Sequence, residues 1–195
     1  ADAQGWLATF DFTEQARPDA QACIHALRSA GVTVQLLSGD SPVAVALLAQ
    51  QLGIAEARGG CTPSNKLAVL RQLQAQGRVV AMVGDGLNDG PALALAQVSF
   101  AVGQAVPLAQ AQSDLVVQGD RLLPVASTVQ LARRSLRVVR QNLAWAAAYN
   151  AVCVPLALAG WLPAWLAGLG MALSSLAVVL NASRLARAQP LYEAR

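Results

Sequence analysis

The sequence has few charged residues and almost no lysine. Only 13% of its 195 residues are charged, whereas an ordinary soluble domain carries about 25%. This shortage excludes a disordered tail and a charge-rich nucleic-acid-binding domain. Lys66 is the single lysine in the chain, and we therefore treat it as a candidate functional residue.

Cysteine is also scarce. Cys23, Cys61 and Cys153 are widely spaced, odd in number and include no C-x-x-C pair. This pattern excludes a disulfide framework and a structural zinc site of the usual spacing. A reducing compartment fits it best.

Acidic residues are nearly absent from the C-terminal part. Residues 1–120 hold six basic and ten acidic side chains, whereas residues 121–195 hold eight arginines against Glu193 alone. The formal net charge of +3 therefore hides two different regions. We predict that the chain divides near Asp120.

No charged residue occurs between Gln141 and Ser183. A membrane-spanning helix needs about 20 mostly apolar residues, so this stretch is long enough for two spans, at about 143–161 and 162–180. A turn at residues 160–163 separates them, and interfacial Trp161 and Trp165 flank that turn. The alternative is a pair of buried helices, which a soluble domain of this size rarely builds from so long a charge-free run.

Arginines flank the charge-free stretch on both sides. Because cytoplasmic flanks are enriched in basic residues, we expect a multi-pass protein of the bacterial inner (plasma) membrane with both ends of this segment cytoplasmic. Residues 121–141 are then a helical stalk, 142–183 two transmembrane helices, and 184–195 a cytoplasmic tail. The flanking arginines are Arg133, Arg134, Arg137, Arg140, Arg184 and Arg187.

The first 120 residues alternate between strand-like and helix-like segments. The predicted strands are 32–37, 79–83, 98–102 and 115–117, and the predicted helices are 18–30, 42–52, 64–76 and 89–96. This alternation predicts an α/β fold with a parallel sheet covered by helices. Ligands of such sheets bind at the carboxyl ends of the strands.

The most informative motif follows the second predicted strand. It reads Gly84-Asp85-Gly86-Leu87-Asn88-Asp89. Its glycines let the backbone approach a ligand closely, and its two carboxylates are oxygen ligands of the kind that Mg²⁺ takes beside a substrate phosphate. Asn88 adds a neutral donor and acceptor. The alternative is a polar turn in which Asp89 caps the next helix.

Two further segments suit a phosphate. Ser38-Gly39-Asp40 follows the first strand and precedes a helix N-terminus, which attracts anions. Lys66 follows Thr62-Pro63 at the start of a helix and presents a compact positive charge that can neutralise a phosphoryl group. Taken alone, Ser38-Gly39-Asp40 could instead be a common turn, and Lys66 could be an exposed structural lysine.

The sequence resembles the C-terminal part of a P-type ATPase. The resemblance rests on the order of its motifs, which is S-G-D, T-P-x-x-K, G-D-G-x-N-D, then a stalk and a membrane hairpin. The phosphorylation domain of that family has a haloacid dehalogenase-like fold, so residues 1–120 are expected to be the C-terminal portion of such a domain. The resemblance implies ATP and Mg²⁺ as cofactors. Lys66 would steady an aspartyl phosphate, Asp85 would bind Mg²⁺, and Asn88 and Asp89 would close the site, Asp89 as a second candidate Mg²⁺ ligand. Ser38, Gly39 and Asp40, with Gly84 and Gly86, would lie on the phosphate and nucleotide side.

The membrane segment resembles the copper(I) branch of the heavy-metal ATPases. The matching motifs are Tyr149-Asn150 and Met171-x-x-Ser174-Ser175, and the resemblance implies that Tyr149, Asn150, Met171 and Ser175 bind the transported Cu⁺. A methionine thioether suits Cu(I), whereas a zinc or cadmium transporter would be expected to place a carboxylate in these spans. Helix packing is the alternative role for the small and hydroxyl residues.

The segments at 140–145 and 170–175 are also similar to copper ATPases that supply cytochrome oxidase assembly. The implied partners are Cu⁺ (with Ag⁺ as an analogue), copper chaperones, the lipid bilayer and a missing N-terminal part of the same ATPase, with no nucleic acid among them.

Several family motifs are absent. The sequence has no D-K-T-G-T, C-P-C, T-G-E or nucleotide-domain His-Pro, all of which lie upstream in the family, and it does not begin with Met. We therefore expect a C-terminal fragment that is inactive alone. Gly90 and residues 104–107 also depart from the family pattern. The alternatives are a membrane-tethered phosphatase using Asp11 as nucleophile, or a truncated metal-binding partner.

Overall fold

A computed structural model describes residues 16–85, 87–103 and 105–186. The chain divides into two compact units, Ala1–Leu122 and Leu123–Arg195. The first unit carries the strands, and the second consists of two long helices in its described part.

The first unit is built from parallel strands and helices in alternation. In its described part, β1 pairs with β2 in one sheet, and β3, β4 and β5 form a second sheet in that order. Every pairing is parallel, which confirms the predicted α/β class. The strands are β1 Gln35–Leu37, β2 Glu56–Arg58, β3 Ala81–Gly84, β4 Val98–Val102 and β5 Leu115–Val117. The helices are α1 Ala20–Ser29, α2 Pro42–Leu52, α3 Pro63–Ala75, α4 Gly90–Leu95 and α5 Pro107–Ala111, with a 3-10 turn at Leu87–Asp89.

Each sheet has its own apolar core. Ile24 of α1 and Ala49 of α2 pack with Ile54 beside β1 and β2. Leu93 of α4 and Ala109 of α5 pack on the other sheet. Since burial of apolar side chains is the main stabilising term in folding, these cores hold the carboxyl ends of β1 and β3 in place.

Two strands, β1 and β3, begin later than predicted because the residues before them close the preceding helix. β1 begins at Gln35 rather than at residue 32 because the Val32 amide donates to Leu27 O and closes the end of α1. The Arg78 amide closes α3 in the same way, on Leu73 O, so β3 begins at Ala81. The sequence did not predict β2 or α5.

The second unit is an antiparallel helical hairpin. α6 spans Leu123–Leu158 and α7 spans Ala164–Ala186, so the predicted stalk and first span form one continuous helix. Gly160, at φ +75°, lies in the turn between them. Trp145 Nε1 donates to Ser174 Oγ at 3.0 Å, and Asn181 Nδ2 donates to Asn142 Oδ1 at 2.9 Å. These bonds fix the register of the two helices.

Within the described residues, one helix is long and apolar enough to cross a membrane: Ala164–Leu185, with a mean hydropathy of 1.7. The apolar half of α6 is not hydrophobic enough over 18 residues to meet the same criterion. Because α6 ends at Leu158, an 18-residue stretch there includes the polar residues Gln141 and Asn142. The first predicted span therefore stays a prediction.

Candidate active site at the carboxyl end of β3

Lys66 and Asp89 form an ion pair at the end of β3. Thr62 caps α3 in a capping box with Asn65, which places Lys66 in the first turn of that helix. Lys66 Nζ donates to Asp89 Oδ1 at 2.7 Å, and the two side chains are only 12% and 13% exposed. Solvent screens such a shielded pair less than an exposed one, and removing one partner would leave the other charge uncompensated.

Gly84, the last residue of β3, makes room for this pair. A Cβ at Gly84 would lie 2.8 Å from Asp89 Cβ and 3.0 Å from Asp89 Oδ2, closer than packed carbon atoms approach. Asp89 makes no side-chain capping bond to α4. Asp89 stands at the N-cap position of α4, as the alternative had it, but its carboxylate accepts from Lys66 Nζ.

Asp85 offers a different kind of carboxylate. Its side chain is 62% exposed, and the Arg17 guanidinium lies 3.6 Å away, beyond ordinary hydrogen-bonding distance. Its oxygens are therefore accessible to a hard cation, and this donor type fits Mg²⁺. Asn88 is also exposed, whereas Gly86 lies outside the described residues.

The Ser38-Gly39-Asp40 loop is held by the end of β2. Ser38 N donates to Arg58 O, Cys61 N to Ser38 O and Gly60 N to Asp40 O. The Ser38 hydroxyl donates to the Asp40 carboxylate. Among the described residues, no hydrogen bond or ion pair joins this loop to the Lys66–Asp89 pair. The two predicted phosphate-binding segments, the Ser38–Asp40 loop and the Lys66–Asp89 pair, are therefore not bonded to each other in the described part of the chain.

The four predicted copper ligands differ in their surroundings within the hairpin. Tyr149 lies between the helices, where its hydroxyl donates to Ala167 O at 3.4 Å and a Cβ at Gly170 would lie 2.8 Å from that hydroxyl. Asn150, Met171 and Ser175 are exposed. Met171 and Ser175 are one turn apart on α7, so they share a face.

Sequence reasoning missed Arg17, which lies between two carboxylates. Its guanidinium is 3.6 Å from Asp85 and 4.0 Å from Asp120. The available signal was the Arg-Pro dipeptide just before α1, which in isolation indicates only a helix start.

The comparisons with known proteins agree with these motifs. The family model of haloacid dehalogenase-like hydrolases matches residues 6–97. The chain is 45% identical over 190 residues to the probable copper-transporting ATPase SynA of Synechococcus sp., covering 93% of this chain and 24% of that protein. It is 45% identical over 168 residues to the nitrogen fixation protein FixI of Bradyrhizobium diazoefficiens, covering 86% of this chain and 23% of that protein.

A solved structure extends the similarity to both units. A zinc-transporting PIB-type ATPase in the E2·Pi state matches with a TM-score of 0.77 and 31% identity, over 89% of this chain and 28% of the other. The chain spans about a quarter of the length of the curated relatives it matches.

Proposed function

Because this chain belongs to the P-type ATPase family, we propose that it is the C-terminal portion of an ATP-driven Cu(I) transporter. It would carry the Mg²⁺ and phosphate site together with part of the membrane metal site. The observation that supports this most directly is the shielded Lys66–Asp89 pair beside the exposed Asp85 carboxylate, at the carboxyl end of a parallel strand.

The geometry suits phosphoryl chemistry. Lys66 Nζ has three N–H donors, and within the described residues Asp89 accepts one of them, which leaves two for phosphoryl oxygens. Asp89 holds the ammonium in place. Asp85 would hold Mg²⁺, which when bound neutralises charge on a transferring phosphoryl group. We propose direct Mg²⁺ ligation for Asp85 and keep Asp89 as a secondary candidate.

The sheet topology supports the proposal that an upstream segment completes the site. β1 and β3 are edge strands of their two separate sheets in the described part of the chain. Each carries a predicted phosphate-binding segment at its carboxyl end. An upstream parallel strand paired with both would bring a phosphorylated aspartate between these segments, consistent with the family motif that this sequence lacks.

Copper is the metal that the side chains favour. The relatives named above include a copper transporter and the solved structure a zinc transporter, so homology alone does not choose. Residues 141–183 contain no Asp or Glu. Carboxylates are the ligands that hard or borderline cations favour. Met171, 64% exposed, and the exposed Asn150 and Ser175 are available to helices from the rest of the transporter. The same proposal includes membership of the copper ATPases that supply cytochrome oxidase assembly, copper chaperones as partners, and a hairpin with both ends on the cytoplasmic side.

Metal-stimulated ATP hydrolysis by the purified full-length gene product tests this function. We expect stimulation by Cu(I) and Ag(I) and none by Zn(II) or Cd(II), and we expect the 195-residue chain alone to form no phosphoenzyme from labelled ATP. Stimulation by Zn(II) or Cd(II) alone would contradict the metal assignment. A phosphoenzyme on the isolated chain would favour a self-contained phosphatase.

A further inference from the structure

Several contacts from the region around α1 converge on residues 120–122, here called the junction, which lead directly into α6. Asp19 Oδ2 accepts from Leu122 N at 2.8 Å, and Cys23 Sγ donates to Leu122 O at 3.2 Å. Arg17 Nη1 lies 4.0 Å from Asp120 Oδ1. The junction, at the end of the first unit, is therefore tied to residues 17–23 of the same unit.

Arg17 also reaches the proposed Mg²⁺ site. Its Nη2 lies 3.6 Å from Asp85 Oδ2, so one guanidinium faces a carboxylate at the site and another at the junction. Nη1 is buried and has no hydrogen-bond partner among the residues that the structure describes. A planar guanidinium with several donors can shift between two such acceptors, which a lysine ammonium cannot span equally well.

Gly103 forms the wall behind the guanidinium. It follows β4 with φ +69°, and a Cβ there would lie 3.0 and 3.2 Å from the two terminal nitrogens of Arg17. Both the backbone conformation and the close approach call for glycine at this position. The guanidinium is thus confined between Gly103 and the two carboxylates.

We propose that Arg17 is a positioning residue that couples the charge at Asp85 to the junction. With Asp85 bare, the two carboxylates share the guanidinium. A divalent cation at Asp85 repels the guanidinium, which then moves toward Asp120 and tightens the junction. This rests on the proposed function, because it takes Mg²⁺ to bind at Asp85. Since Asp85 and Asp120 are exposed, solvent screens both pairs and the expected effects are modest.

Hydrogen–deuterium exchange of the full-length protein in detergent, with Mg²⁺ or with EDTA, tests the coupling. We expect Mg²⁺ to slow exchange at residues 87–89 and at the junction. In Arg17→Gln, Mg²⁺ should still slow exchange at 87–89 but leave the junction unchanged. The Mg²⁺ concentration for half-maximal protection should fall about threefold, because a competing cation has been removed.

Two variants separate coupling from general damage. Arg17→Lys keeps the charge and should give a weakened junction response, while Gly103→Ala displaces the guanidinium and should resemble Arg17→Gln. Arg28→Gln is the matched control, because Arg28 donates to Gly53 O away from this site, and it should retain the full response.

The outcomes distinguish the inference from the function on which it rests. If wild-type protein shows protection at 87–89 without any junction response, or if Arg17→Gln keeps that response, the coupling is overturned. An Arg17→Gln variant with weakened Mg²⁺ binding would also overturn it, since that indicates a merely structural role. If Mg²⁺ protects neither segment in the wild type, the proposed Mg²⁺ site itself fails.

Discussion

Lys66 donates a 2.7 Å hydrogen bond to Asp89 across the site, from the first turn of α3 to the turn that follows β3. Both side chains are largely withdrawn from solvent. Removing one member of such a pair leaves the other charge uncompensated, which destabilises more than removing both.

The first prediction concerns the stability of this pair. Lys66→Met should lower the free energy of unfolding by about 2–3 kcal/mol, because Asp89 is left without its partner. The double variant Lys66→Met/Asp89→Leu should recover most of that loss. Denaturant unfolding of the chain in detergent measures both. Arg71→Gln, an exposed position on the same helix, should change stability little, and a double variant no more stable than Lys66→Met would contradict the prediction.

The second prediction separates the two carboxylates of the motif. Asp85→Asn should raise the Mg²⁺ concentration for half-maximal ATP hydrolysis tenfold or more, about 1.4 kcal/mol of lost binding. Asp89→Asn should lower the maximal rate with a smaller effect on Mg²⁺, because it releases Lys66. Glu56→Gln on β2 is the control for removing a negative charge. Equal effects of the Asp85 and Asp89 variants on Mg²⁺ affinity would instead indicate two direct ligands.

The third prediction concerns the glycine beneath the pair. Gly84→Ala should push Asp89 away from Lys66 and destabilise the protein by about 1–3 kcal/mol, the usual range for overpacking. It should also slow ATP hydrolysis. Gly168→Ala in α7, where a Cβ would meet no atom within 4 Å, is the matched control. A fully active and stable Gly84→Ala protein would show that Asp89 has room to move.

Local patterns predicted the candidate site better than they predicted its surroundings. Asp85 and Asp89 could be singled out as candidates because their motif is short and follows an apolar strand. Arg17 was missed because its partners, Asp85 and Asp120, are distant in the sequence. β2, Glu-Ala-Arg, has no β-branched or aromatic residue to indicate a strand, and it is defined by parallel pairing with β1. The role of Asp89 was ambiguous in sequence, and the contact that distinguishes it, with Lys66 in another helix, depends on the fold.

The fourth prediction uses two adjacent serines. Ser175 is exposed on the same face of α7 as Met171, whereas Ser174 accepts the indole hydrogen bond of Trp145 between the helices. Ser175→Ala should lower Cu(I)-stimulated ATP hydrolysis by about tenfold and leave thermal stability unchanged. Ser174→Ala should lower stability by about 1 kcal/mol and largely preserve metal stimulation. The reverse pattern would indicate that the metal pathway runs between α6 and α7.

The fifth prediction concerns orientation in the membrane. The charge-free segment has arginines at both ends and none at the turn between its helices, and cytoplasmic flanks of membrane helices are enriched in Lys and Arg. In a variant without the three native cysteines, Trp161→Cys should react with a membrane-impermeant maleimide on intact spheroplasts. Arg184→Cys should react only after permeabilisation. Reaction of Arg184→Cys in intact spheroplasts would reverse the orientation, and protection of both positions would mean that the turn does not reach the outer surface.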